Sequence, residues 1–216
     1  MEILEIILTS LYVSLTSTAI ASIIAILLAV PFSIKDFKLK RAIYRIADSL
    51  MAMPPVVMGL IVFIILSKRG PLGELNLLFT PTAMIIAQML LILPIIFVLT
   101  VRQIEKIAPT IQKNCYMLGG DYGDFLFLII NECKGEIFTS VTSGFSRAIS
   151  EVGAVMMVGG NIKGYTRVMT TFIALETSKG NFKDALIIGL ILLAISFLIN
   201  IILHSLKGRE TNEYIN

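Results

Sequence analysis

Arg147 and Glu151 are the residues whose types and spacing invite a functional reading, because they form an acid–base pair at i and i+4 inside an otherwise apolar stretch. Charge in hydrocarbon is expensive and is kept where it faces a bundle interior or a wet cavity. On a helix the two would share a face and pair. Two readings stay open: Arg147 lends positive potential to a path for a dianion, or Glu151 neutralises it and the pair locks helices together. The acidic partner one turn away leans toward the second. Little else is equipped for chemistry. Cys115 and Cys133 have no histidine cluster nearby, so they lack zinc spacing and read as free thiols. His204, the single histidine, ends the last apolar run and reads as an interfacial residue rather than a proton relay. No Gly-x-x-x-x-Gly-Lys-Ser/Thr phosphate loop occurs, so ATP is not expected to bind this chain. Catalytic residues, a metal site and a bound cofactor are all expected to be absent.

The elements around that pair are membrane spans. Of 216 residues, 56% are hydrophobic and 15% charged, with a mean hydropathy of +0.87; a soluble domain carries about 25% charged residues. The composition excludes a soluble enzyme, a disordered chain and a disulfide-rich secreted module. A net charge of +3, scattered among loops, does not suggest nucleic acid. Apolar runs lie within Ile6–Ile34, from about Ala47 to Ser67, near Pro81–Val101 and near Ala185–Leu206. Lipid forces each to close its hydrogen bonds internally as a helix. A fifth run, about Ile137 to Gly159, contains the Arg147–Glu151 pair. The expectation is one all-α domain over residues 1–216, polytopic, with about five transmembrane helices.

The loops set the orientation. Eleven lysines and arginines fall on one side, among them Lys35, Lys38, Lys40, Arg41, Arg45, Arg102 and Lys134. The other side holds six: Lys68, Arg69, Lys163, Arg167, Lys179 and Lys183. The richer side is cytoplasmic by the positive-inside rule. That puts the N-terminus outside, the C-terminus inside and the polar segment of about residues 102–136 in the cytoplasm. The first apolar run is too long for a signal-peptide core and reads as a retained helix.

Three places invite a role beyond spanning. The doublet Pro54-Pro55 kinks or breaks its helix, and Gly59 one turn on permits close helix approach, which makes them a candidate gate or structural bend. The outer, glycine-rich segment from Gly159 carries Lys163 and Arg167, candidates for docking an acidic partner or attracting an anion, with a solvated re-entrant loop as the equal alternative. Thr170-Thr171 allow close packing of the short helix that follows. Segment 102–136 reads as two short helices broken at Leu118-Gly119-Gly120-Asp121, with glycine making the turn and Asp121 taking orphan N–H groups of the next helix. A connector of that length suits docking to a cytoplasmic partner.

Leu118-Gly119-Gly120-Asp121 with the apolar stretch after it resembles the coupling loop of ATP-binding cassette (ABC) importer permeases, although Lys113-Asn114-Cys115 stand where that family has Glu-Ala-Ala. The run Gly144–Ile162 is similar to the matching span of molybdate, sulfate and tungstate permeases. Thr166–Gly180, Met53–Gly59 and Gly70-Pro-Leu-Gly73 with Leu77–Pro81 resemble the tungstate type. The resemblance implies a type I ABC importer permease of the prokaryotic inner membrane, working as a homodimer. It further implies an ATPase subunit at Leu118–Asp121, where ATP acts on the partner, and an extracytoplasmic oxyanion-binding protein outside. Tungstate is the implied substrate, with molybdate, sulfate or another small anion as the alternative. A secondary transporter fits less well, since five spans without an internal repeat do not make two related halves.

Overall fold

The computed structural model describes the backbone of residues 2–212 and the side chains as far as Ile202, so the side chain of His204 lies outside the described residues. Among these residues the regular elements are α1 (Glu2–Ile34), α2 (Lys40–Met51), α3 (Pro55–Leu66), α4 (Pro81–Met117), α5 (Tyr122–Ile149), α6 (Gly153–Gly159), α7 (Met169–Ser178) and α8 (Phe182–Asn212), with one 3-10 turn at Gly73–Leu75. Helices α1, α4 and α8 are each long and apolar enough to cross a membrane, and α2 with α3 adds a fourth if that bent pair is one span. The all-helical, polytopic expectation holds.

Two expected spans are drawn differently. The run Ala47–Ser67 is not one rod: α2 and α3 meet at 104°. Pro55 has no N–H for a bond back to Met51, and Pro54 holds extended backbone at φ −61° and ψ 129°, so helix cannot run through the doublet. The run Ile137–Gly159 breaks at Ser150–Val152 with neither proline nor glycine in the break. There the Ser150 hydroxyl donates to the Ser146 carbonyl at 2.9 Å, and the Glu151 N–H closes a tight turn onto Ala148 O at 3.1 Å. Such back-bonding by serine bends helices.

Segment 102–136 also differs from expectation. It is not a loop with short helices of its own, because α4 continues unbroken to Met117 and α5 starts at Tyr122. The 37 residues of α4 reach roughly 55 Å at about 1.5 Å per residue. Beyond the apolar stretch, Ile104, Ala108 and Cys115 pack on Phe125, Ile129 and Cys133, making a projecting helical hairpin. Both cysteines are buried in it as free thiols.

The bundle is held by close packing. On α1, Ser17, Ala21, Ala25 and Ala29 recur every fourth residue and are fully buried, several of them against Ile92, Ile96 and Val98 of α4. Small side chains let two helix backbones approach in a medium that offers no hydrophobic drive between helices. Gln88 of α4 ties three helices, accepting from the Ser17 hydroxyl at 3.0 Å and donating to Ala148 O at 2.9 Å. By contrast α8 turns Leu186, Leu190, Leu193 and Phe197 outward, as a helix facing lipid does.

Candidate functional site: two helix interruptions that meet

The starts of α3 and α6 lie against each other. A methyl group on Gly59 would sit 2.7 Å from Ala154 Cα, and one on Gly153 would sit 2.7 Å from Val56 Cγ2. The close approach expected at Gly59 is present, and its partner is the first turn of α6. Pro54, Pro55, Gly59, Arg147 and Glu151 therefore gather in one region, although the sequence separates them by about ninety residues.

The Arg147–Glu151 pair forms, with Nη1 to Oε2 at 3.0 Å. It does not lie along one helix, because α5 ends at Ile149; the pair bridges the break. Glu151 is held from three directions. Its Oε1 accepts from Ala154 N at 3.1 Å, capping α6, while its backbone carbonyl accepts from the Thr170 hydroxyl of α7 at 2.7 Å. The Glu151 side chain is 2% exposed and that of Arg147 35%. A buried carboxylate with both oxygens satisfied, beside a cation still open on one side, gives a neutral pair with its positive end accessible. Thr170 thus packs closely through a hydrogen bond. Gln88 was not singled out in the sequence, where an isolated glutamine in the run Ile85–Leu93 was the available signal; Thr170 was read there only as a close-packing residue, not as a partner of Glu151.

The second site stands at the end of the molecule where α1 and α6–α8 meet. Glu2 takes Lys163 Nζ at 2.7 Å and Arg167 Nη1 at 3.4 Å. Arg167 also donates through Nε to Asn161 Oδ1 at 3.2 Å and is only 14% exposed. It is bound into the loop, whereas Lys163 stays open to solvent at 66%. Nearby, Lys179 and Asn181 donate to the Glu176 carboxylate at 2.8 Å and 2.7 Å, which holds that carboxyl below its ordinary value. The Lys179 bond is the larger cause. Glu2, Asn161 and Glu176 carry no sequence pattern that would have marked them.

The third site is the hairpin tip, at the far end of α4. Asp121 Oδ1 accepts from Asp124 N at 2.9 Å, and Asp124 Oδ2 accepts from Asp121 N at 2.9 Å, a reciprocal cap on α5. Gly119 makes the turn at φ +80° with open space where a side chain would go. Met117, Leu118 and Phe127 are 75%, 89% and 71% exposed. An apolar tip fixed by a rigid cap is suited to insertion into a partner.

No protein-family model matches the chain. Among individual proteins, it is 48% identical to the tungstate uptake system permease of Peptoclostridium acidaminophilum, over 95% of this chain and 90% of the relative. This chain belongs to the ABC-transporter permeases. The permease is also 40% identical to the tungstate uptake system permease of Campylobacter jejuni, over 80% of this chain and 72% of that one. A probable anion ABC transporter permease of Haloferax volcanii is 35% identical over 88% of the permease and 84% of its own length. The three sites of this permease follow its long axis: the hairpin tip at one end, the paired interruptions within the bundle and the Glu2 cluster at the other end.

Proposed function

We propose that this permease moves tungstate into a prokaryotic cell as a homodimer driven by a separate ABC ATPase and supplied by an extracytoplasmic binding protein. The observation that carries the substrate is the 48% identity, over nearly the whole of both chains, to a permease named for tungstate uptake. In this reading the basic end and the hairpin face the cytoplasm, the N-terminus and the Glu2 cluster face outward, and the C-terminus is cytoplasmic. Leu118, Gly119, Gly120 and Asp121 transmit the ATPase stroke, since they form a capped, apolar tip on two long stiff helices.

Arg147 and Glu151 line the translocation path. Tight binding of a dianion inside the membrane would slow its release, and the pairing of Arg147 to Glu151 tempers the pull of the guanidinium. Pro54, Pro55 and Gly59 form the adjoining wall and its bend. Of the two outer cations, Lys163 takes the docking role, because Arg167 is committed to Asn161 and Glu2.

The test is ATP hydrolysis by the permease reconstituted with its ATPase and its binding protein, the latter loaded in turn with tungstate, molybdate or sulfate. Stimulation by the tungstate form alone is expected. Stimulation by another loaded form would move the assignment to that ion, and a Gly119→Trp variant with normal coupled transport would remove the hairpin tip from the coupling role.

A further inference from the structure

The turn from α1 to α2 and the outer surface of α2 form an exposed basic surface that the transport reading leaves unused. Three carboxylates stand near it, and each is taken. Lys40 Nζ lies 3.0 Å from Glu105 and 3.6 Å from Asp36, and Arg102 Nη2 lies 2.6 Å from Asp48. Arg102 also donates to the Tyr44 hydroxyl at 2.7 Å. Among the described residues no carboxylate lies within ion-pair reach of Lys38, Arg41 or Arg45. Arg41 and Arg45 stand one turn apart on one exposed side of α2, and Lys38 is exposed in the turn just before the helix. No residue of α2 is buried, and Ile43 and Ile46 point outward as well, 42% and 61% exposed. A helix that is basic on one side and apolar on another, at the end of a membrane span, lies in the membrane interface.

Two cavities make the surface more specific than a charged face. One, of 830 Å³, is lined by Lys38, Lys40, Arg41, Tyr44 and Arg45 together with Phe37, Asp36 and Glu105; the two carboxylates pair with Lys40, and the lining keeps a net positive charge. The other, of 570 Å³, is mostly apolar and runs past Ile46, Leu50, Met53, Pro54 and Val57. Arg45 lines both. A cationic, hydroxyl-bearing cavity joined at one residue to an apolar groove has the shape of an amphiphile with an anionic head and a hydrocarbon tail. We infer that this surface binds an anionic phospholipid, with its phosphate at Lys38, Arg41 and Arg45 and an acyl chain along Ile46, Met53 and Val57. Its apolar half reaches the Pro54 bend, so an occupied groove would brace the region where α2 turns into α3.

The experiment is native mass spectrometry of the full chain released from mixed micelles containing phosphatidylglycerol and phosphatidylcholine. Wild type retains phosphatidylglycerol preferentially. The variant with Lys38→Gln, Arg41→Gln and Arg45→Gln loses that preference, by about fivefold for each cation and on the order of a hundredfold for all three. Arg45→Lys keeps most of it. A control with Lys163→Gln, Lys179→Gln and Lys183→Gln removes the same charge from the other end and retains the lipid. Three results would overturn the inference: equal retention by the variant at Lys38, Arg41 and Arg45, equal loss by the control, or full displacement of the lipid by glycerol phosphate, which has the head without the tail. Loss of self-association together with lipid in Arg45→Gln would overturn it too, by assigning the surface to a second copy.

Discussion

The two interruptions that meet at Val56 and Gly153 are made in opposite ways. Between α2 and α3 the break is written into the covalent chain: two prolines in succession remove hydrogen-bond donors and restrict the backbone before and within the doublet. Between α5 and α6 the three residues Ser150, Glu151 and Val152 impose nothing of the kind. That break is held by hydrogen bonds: the Ser150 hydroxyl turns back onto Ser146 O, the Glu151 carboxylate pairs with Arg147 and caps Ala154, and the Glu151 carbonyl holds Thr170. A break set by proline persists whatever surrounds it. One set by a polar network can be undone by losing one member, and can also be re-formed.

The largest effect is therefore expected at Glu151. Glu151→Ala leaves Arg147 unpaired and α6 uncapped, and removing one partner of a buried pair costs about 3–5 kcal/mol. With a third of Arg147 exposed, the loss falls toward about 3 kcal/mol, read as a lower unfolding midpoint in detergent. Adding Arg147→Ala removes the stranded charge and recovers most of that stability. Transport by the double variant then separates the two readings of the pair. Restored stability with poor transport assigns Arg147 to the path, and recovered transport assigns it to structure. If Glu151→Ala alone left stability unchanged, the contrast between the two interruptions would fail.

Next in size is the contact that joins them. Gly59→Leu drives a side chain into the Ala154 backbone, where even a methyl group would sit 2.7 Å from Cα. Overpacking of this kind costs about 1–3 kcal/mol, and because the obstacle is backbone, about 2 kcal/mol is expected. Since α3 would be pushed off α6, transport should fall more steeply than the unfolding midpoint. A variant that loses stability yet transports normally would separate the contact from the path.

How legible each region was in the sequence follows the same division. Pro54-Pro55 and Gly59 could be read directly, because proline geometry and the need for a small residue at a close crossing are local properties. Arg147 and Glu151 could be found as charges in an apolar run, but the break between them could not. The flanks Phe145–Ile149 and Val152–Val158 read as one continuous helix, and the groups that hold Glu151 come from three elements. The hairpin failed in the other direction. The charged residues of 102–136 suggested a separate loop, while Ile104, Ile107, Ala108, Ile111 and Cys115 already carried the three- and four-residue spacing of a continuous helix. The helical class and the exposed turn at Leu118–Asp121 needed only composition and local turn chemistry, which is why they were readable.

A carboxylate that caps a helix in water gives the reference for Glu151. Asp121→Ala removes the acceptor for Asp124 N at the exposed hairpin tip, and loss of such a cap costs about 1 kcal/mol. The unfolding midpoint should fall by a small amount, clearly less than for Glu151→Ala. ATPase stimulation should fall much further, since the tip loses its fixed shape. Equal stability losses at Asp121 and Glu151 would mean that burial and the Arg147 pairing add nothing to the cap.

The smallest effect is expected at the proline break itself. Pro55 occupies the first position of α3, where a backbone N–H has no partner within the helix, so its ring removes no hydrogen bond that Pro55→Ala could restore. What it contributes is restriction of the unfolded chain, and losing that costs about 0.4–1 kcal/mol. The break should survive, because Pro54 alone keeps Met53 out of helical backbone and α3 can grow by one residue at most. Helix content measured by circular dichroism should stay constant and transport should stay close to wild type. A gain in helix content with lost transport would show that the second proline is needed to stop α2 and α3 from fusing. In that event both interruptions would depend on single residues, and the division between a covalent break and a networked one would rest on Pro54 and Pro55 together.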